Sequence, residues 1–499
     1  MSQPAVAIEH ARVASWRRPL AYLLSAGAAF YLGQALLTMI GGRVELIVRR
    51  HPMPEERFEV VWALGALLIV AALLAWDSPL LRKLPALIIA GAVALYMGNR
   101  VVGGSGDTIP AHHLPLHLLC EGTLAFDTEA PVHDNPDHLE YYYVRSHGKV
   151  YSRYPLGSAL LVLPVFLPSA IGPFSHNNPV INDIAKLGAA LLTAFGGLML
   201  FVVLRRLTSV RAAAGATFVF LAGTAALPIL SQALWQHTGA AFGTALCLLG
   251  LFDEPTRRKR RGLLVGLGAG ILVACRPVDV VISVGLGLAL LASDRKAFAV
   301  ATGVGSVLVA LTVLYNRLAL GTWLSGGYGP EAQGGWSSPF FEGLAGLTVS
   351  PTRGLFVCSP ILIIAISAFV SPPLEGDRKT MVRISGATAL AFMLMMSKWW
   401  AWSGGWCAGP RMLAETLPIW ALGTGLAAER WFATPSRRAV AGVLAALSVA
   451  TSLLLTYAPL TGRYFDLVIH PSAWDVNGYI PLAFLETRFD PPSRPPGSP

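Results

Sequence analysis

Long apolar runs separated by short polar connections repeat along the whole chain. About 20 apolar residues carry a helix across a bilayer. Runs that approach or reach this length lie at 20–41, 58–76, 84–101, 184–204, 212–230, 238–252, 263–275, 278–292, 298–316, 355–370, 384–397, 412–428 and 439–457. Several are short, notably the pair flanking Arg276. The pattern predicts an all-α polytopic membrane protein of about thirteen transmembrane helices, with a long first external loop and juxtamembrane helices. One more apolar stretch, 155–173, carries Pro155, Pro164, Pro168 and Pro173. Proline discourages a regular helix, so this stretch is expected to lie in the interface or to re-enter. The division that follows is a two-span segment at 1–83, a transmembrane domain at 84–457 with external segments 102–183, 317–354 and 398–411, and an external tail at 458–499. The tail's Pro-rich end reads as disordered.

Composition supports the membrane reading and excludes others. Of 499 residues, 54% are hydrophobic and 13% charged, against about 25% charged in soluble proteins. The formal charge of +10 could suggest nucleic acid, but no basic face on a soluble domain exists to bind it. The charge instead orients the chain, because Lys and Arg concentrate in cytoplasmic loops. Arg257 to Arg261, the group Arg205, Arg206 and Arg211, Arg295 with Lys296, and Arg437 with Arg438 all fall inside if the N-terminus is cytoplasmic and 155–173 does not cross. Arg17 and Arg18 precede a run too long for a signal-peptide core, so the first apolar run reads as an uncleaved span. The inside then carries a balance of +13 and the outside −3, and ten of the eleven histidines lie outside. The loop 43–57, with Arg43, Arg49, Arg50 and Arg57 outside, fits this assignment poorly. Five cysteines show no metal-ligand spacing, and three of them lie close enough to the external face for one disulfide.

The functional face is therefore the external one. Gly103-Gly104-Ser105-Gly106-Asp107-Thr108 follows a span directly, and its glycines allow the sharp turn that presents Asp107 just beyond the membrane. Burial at that depth is expected to raise the carboxyl towards a general-base value. His113 and His117, four apart, share one helix face and are candidate metal ligands, though no ligand set closes around them. Tyr141 to Gly157 mixes aromatic and basic residues, a composition suited to an interfacial anchor, a lipid phosphate or a sugar ring. Cations then recur beside spans: Lys186, His237, Arg276, Arg353, Lys398 and Arg411, the last two bracketing Trp399, Trp402 and Trp406. Several cations at one depth on one side form the arrangement a lipid-linked phosphate requires. A transport pathway would place charges near the middle of several spans, which the pattern does not show. A transporter or flippase is the alternative reading, with the short helices around Arg276-Pro277 its one hint.

At Gly106-Asp107-Thr108, Gly148 to Gly157, Lys186 to Arg206, Gln236-His237, Arg276-Pro277, Ser350 to Ser359 and Trp399 to Arg411, the chain resembles the GT-C superfamily of integral-membrane glycosyltransferases. That superfamily includes dolichyl-phosphate-mannose-dependent mannosyltransferases and related bacterial enzymes. The resemblance implies an enzyme of the cell envelope, in a bacterial plasma membrane. It would move a hexosyl group from a polyprenyl-phosphate-linked sugar to a hydroxyl of a glycan, lipid or protein acceptor, with inversion, on the external face. It implies Asp107 as the base, Arg411, Lys398, Arg353 and His237 at the donor phosphate, and Tyr154, Trp399, Trp402 and Trp406 on the sugar or isoprenoid. Two departures stand out. Two spans precede the helix before Asp107, and no Asp-Asp or Asp-x-Asp pair follows it. A divalent metal is thus left open, and no other cofactor is implied.

Overall fold

In the computed structural model, the apolar runs from residue 180 onward become helices that shuttle between two ends of one bundle. The structure describes residues 84–99, 101–127, 140–170, 180–405, 407, 409–458 and 473–489. The expected spans 20–41 and 58–76, Trp406, and much of the tail fall outside these residues. The chain divides into two units, 1–100 and 101–499. Of the first, the described part is essentially the helix α1 (Leu84–Met97).

In the second unit a 3-10 turn at Gly106–Thr108 leads into α2 (Ile109–Leu116). The hairpin strands β1 (Tyr143–Ser146) and β2 (Lys149–Ser152) follow. Then come α3 (Val180–Arg205), α4 (Val210–Ala222), α5 (Gln236–Leu251), α6 (Arg258–Cys275), α7 (Val280–Leu291) and α8 (Arg295–Leu320). The remaining long elements are α9 (Phe340–Val349), α10 (Gly376–Met396), α11 (Leu417–Phe432), α12 (Pro435–Tyr457) and α13 (Ile480–Phe489). Three of these, α3, α8 and α12, are long and apolar enough to cross a membrane by length and composition. The expected thirteen spans are not reproduced as thirteen such helices among the described residues. Several of the runs are broken by irregular turns: the 355–370 run, for example, is split at Ser359-Pro360 into Leu355–Cys358, a 3-10 segment and Ala365–Val370. The stretch 155–173 is likewise broken, into short turns at Gly157–Leu161, Leu163–Phe166 and Leu167–Ala170.

Glycine sets the spacing between α6 and α8. A Cβ on Gly262 would lie 2.5 Å from the Ala297 carbonyl, and one on Gly266 would lie 2.6 Å from that of Ala301. These i, i+4 glycines let α6 and α8 pack backbone to backbone, as small residues do between membrane helices. The most apolar stretch of α3 is 67% buried, whereas that of α8 is 17% buried. Val307, Leu311, Leu314 and Leu318 of α8 are exposed, a face that suits lipid rather than water.

The basic turns gather at one end. Arg206 and Arg260 both pair with Asp253 at 3.2 Å, Arg258 and Arg261 approach Asp294 at 3.4 and 3.5 Å, and the Ser209 amide donates to Glu429. The opposite end holds Asp107, Arg276 and Arg411. The all-α expectation needs one amendment, the β1–β2 hairpin. Its turn is His147-Gly148, with φ of 49° and 75°, the left-handed pair that a two-residue hairpin loop demands.

Candidate active site

Asp107 sits in the 3-10 turn after the glycines, where the Ser105 side chain caps its amide. One carboxylate oxygen accepts from the hydroxyls of Tyr154 at 2.8 Å and Tyr141 at 3.0 Å. The other accepts from Arg411 at 2.8 Å. The hairpin explains both tyrosines. Tyr143 pairs with Ser152, so Tyr141 and Tyr154 lie two residues beyond that pair on either strand, at matching positions of the open end. Gly106 makes room for Tyr141, since a Cβ there would collide with the Tyr141 hydroxyl.

The electrostatics reverse one expectation. Burial does raise the Asp107 carboxyl, but the Arg411 charge and the hydrogen bonds from Tyr154, Arg411 and Tyr141 outweigh it, and the pKa falls below the ordinary value. A sequence reading sees depth and so predicts a raised value; the opposing cation arrives from 304 residues away. Asp107 is accordingly an ionised carboxylate at neutral pH. Burial and the same carboxylate push the Tyr141 phenol up to about 12 and raise that of Tyr154 further, so both remain donors.

Arg411 is held from three sides. It lies against Gly404, and its guanidinium stacks over the Trp235 ring at 4.6 Å from the centroid, a cation–π contact strengthened by exclusion of water. Gly404, Gly405 and Gly409 take positive φ in the turn before it, a conformation open to glycine at little cost. Four residues on, Glu415 is fully buried and ties three segments together. It pairs with Arg276 from the α6–α7 turn and, at 3.0 Å, with His237 near the start of α5. Gln236 exchanges hydrogen bonds with the Tyr328 hydroxyl, and the Tyr328 ring meets that of Tyr154 edge-on at 5.9 Å.

The structure thus brings together Asp107, Tyr154, Arg411 and, behind them, His237. Arg353 lies beneath the same glycine turn, with its guanidinium donating to the Gly405 carbonyl at 3.5 Å. Lys398 is directed elsewhere, onto the Ser338 carbonyl at 2.8 Å, beside the Trp336–Trp399 ring pair. Trp402 packs against Gly346 and the Trp474 ring, which is a structural seat. The sequence reading missed Tyr141, Tyr328 and Glu415 as members of the site. A carboxylate inside the expected span 412–428 was the available signal for Glu415, since intramembrane acids are rarely without function.

The histidines and cysteines of the external segments have other duties. His112 accepts the Leu234 amide at Nε2 and therefore donates from Nδ1 to Asn182; burial lowers its pKa to about 4 and keeps it neutral. His117 engages Glu121 at 2.9 Å. All five cysteines are free thiols, so the disulfide is not formed. Among the described residues no group of three or more His, Cys, Asp or Glu side chains is placed to hold a metal ion. With both Asp107 oxygens facing an arginine or phenols, the described residues around it do not fit a divalent ion.

Beside this cluster runs a mainly apolar groove of about 170 Å³, whose wall includes Tyr154, Tyr328, Leu160, Leu308 and Leu311. Tyr154 belongs to both, with its hydroxyl on Asp107 and its ring on the groove.

No family model and no curated protein matches the chain. Among solved structures, it is similar to ArnT from Cupriavidus metallidurans bound to undecaprenyl phosphate, with a TM-score of 0.48 and 14% identity over 82% of this chain and 76% of that one. It is also similar to the archaeal oligosaccharyltransferase AglB from Archaeoglobus fulgidus in complex with an inhibitory peptide and a dolichol-phosphate, with a TM-score of 0.44 and 12% identity over 78% of this chain and 58% of that one. At these scores no residue's role passes from one protein to the other.

Proposed function

We propose that the protein is a GT-C-like membrane glycosyltransferase that moves a sugar from a polyprenyl-phosphate donor to an acceptor hydroxyl on the external face, with inversion. The observation that carries this reading is the shared wall at Tyr154. A charged acid–arginine site opens beside an apolar groove, and α8, which helps line that groove, also presents an exposed apolar face. A molecule with a sugar-phosphate head and an isoprenoid tail needs both halves side by side. A transporter would need charge along a path, whereas the ion pairs described here gather at the two ends of the bundle.

In the proposed reaction the acceptor oxygen attacks the anomeric carbon while the bond from that carbon to the phosphate oxygen breaks. The bonding pair leaves with the lipid phosphate, and the acceptor proton passes to Asp107. Arg411 has two anionic claimants, Asp107 in the free protein and the donor phosphate in the complex. A phosphate that draws Arg411 towards itself stabilises the leaving group and removes the cation that depresses Asp107. The base is thereby strengthened only when donor is present. His237 acts through Glu415 on the Arg411 segment, and Arg353 supports the glycine turn.

The test is incubation of purified protein with labelled polyprenyl-phosphate sugars and candidate acceptors. Transfer by the wild type and its loss by about 10²- to 10⁴-fold in Asp107→Asn are expected, in a variant that still unfolds cooperatively. Full transfer by a folded Asp107→Asn would overturn the role of the base. Substrate movement in vesicles with no transfer from any donor would favour the transporter.

A further inference from the structure

A cavity that the proposed reaction does not use lies at the basic end of the bundle, at the opposite end from Asp107. It has a volume of about 430 Å³ and is lined by Arg258, Arg261, Arg295, Lys296 and Arg378, with Asp253, Asp294 and Asp377 among them. The acids do not neutralise it evenly. Asp253 is flanked by Arg206 and Arg260, and Asp294 by Arg258 and Arg261. Asp294 also caps α8 through the amides of Lys296 and Ala297. Asp377 is then the one remaining lining acid to balance Arg295, Lys296 and Arg378.

Three further features point the same way. The helices α6 and α10 start at this cavity without a side-chain cap, so their first amides and the positive ends of their dipoles are open to an anion. Arg261 is 3% exposed and is fixed by the Leu251 carbonyl and the Ser293 hydroxyl, yet its Nε is buried without a hydrogen-bond partner. Leu251, Phe252 and Met381 supply an apolar part of the wall. A fixed buried guanidinium, a surplus of cations and an adjoining apolar patch match a phosphate ester that carries an apolar or glycerol portion.

We infer that this cavity is a second phosphate-binding site, separate from the proposed transfer site, and that it takes the phosphate diester of an acidic phospholipid headgroup or the chemically equivalent group of a soluble phosphate ester. Its function is to bind.

Binding to the delipidated full-length protein in zwitterionic detergent is measured by native mass spectrometry with three probes: phosphatidylglycerol, phosphatidylcholine and glycerol 1-phosphate. Phosphatidylglycerol is expected to bind in preference to phosphatidylcholine. The variant Arg295→Gln/Lys296→Gln/Arg378→Gln, all at exposed positions, should weaken that binding by at least about 10-fold. A control that removes equal charge at the same end but outside the cavity, Arg205→Gln/Arg211→Gln/Arg437→Gln, should leave it unchanged. Asp377→Asn should strengthen binding, a direction that loss of structure does not produce. Equal or tighter binding of glycerol 1-phosphate, abolished by the same cavity variant, identifies the soluble ester as the source. Equal binding of phosphatidylcholine, an equal loss in the control, or no effect of the cavity variant would overturn the proposal and leave only the general attraction of a basic membrane face.

Discussion

The Asp107 carboxylate is the residue on which two opposed effects meet, burial raising its pKa and Arg411 with the tyrosines lowering it. The lowering wins in the free protein, so the pH dependence has a definite sign. A carboxyl depressed in the folded state adds stability above its unfolded value, and that stability is lost as pH falls through the folded value. On the reaction proposed, the acid limb of kcat/KM, which reports the free enzyme, lies below the ordinary aspartate range, whereas the limb of kcat, measured with Arg411 drawn to the donor, lies higher. Arg411→Gln removes the main lowering influence and leaves burial. Its residual activity should therefore show an acid limb of kcat/KM displaced upward, read from the pH–rate profile. No displacement would mean that Arg411 does not govern the base. Tyr154→Phe removes one hydrogen bond to a charged group, worth about 1.5–3 kcal/mol, and should slow transfer by roughly 10- to 100-fold with the fold intact. Asp107, Arg411 and Tyr154 were legible in the sequence as an acid after a glycine turn, a cation before a span and a tyrosine-proline. Their mutual contact was not, because the separations of 47 and 304 residues close only through the fold.

Among elements, the β1–β2 hairpin and the turn 411–416 position the chemistry. The hairpin fixes two phenols at matching ends, and it packs through Tyr142, Tyr143 and Val150 onto Leu114 of α2 and Leu156. Local sequence hid it: the aromatic and basic residues from Tyr141 to Tyr154 serve an interfacial anchor equally well, and only the His147-Gly148 turn marks strand pairing. The turn 411–416 is held by Glu415, which bridges α5 and the α6–α7 connection. Glu415→Gln leaves a near-isosteric side chain but removes the nearer of Arg276's two buried counter-charges, with Asp279 remaining at 3.9 Å, a loss of up to about 3–5 kcal/mol. Its expected outcome is a lower thermal unfolding midpoint together with a larger fall in kcat than rise in KM, as Arg411 loses its seat. A fall in stability alone, with kcat preserved in the folded fraction, would confine Glu415 to a packing role. At the α6–α8 contact, Gly266→Leu places a side chain where 2.6 Å is available. Overpacking of this kind costs about 1–3 kcal/mol, and the unfolding midpoint should fall accordingly.

For the whole molecule, the sidedness expected from the charges has a direct check in the cysteines. Cys120 is exposed and the other four are buried. If the segment 102–183 is external, a membrane-impermeant maleimide should label Cys120 in intact cells, with the other four reacting only after unfolding. Labelling of Cys120 only after the membrane is opened would reverse the orientation. The sequence by itself determined the membrane class, the location of the apolar runs and the grouping of basic turns at one end with the acid and arginine candidates at the other. These are local or additive properties: a run of apolar residues or a surplus of Lys and Arg has its effect wherever the rest of the chain lies. The tertiary structure alone decided that Asp107 is a depressed, ion-paired carboxylate and not a raised one. It also decided that Lys398 and Trp402 face other partners and that Glu415 anchors the cation beside the site. Those outcomes depend on which charges meet in a medium of low dielectric, where a single contact outweighs the cost of burial, and contacts between distant residues exist only once the helices have packed.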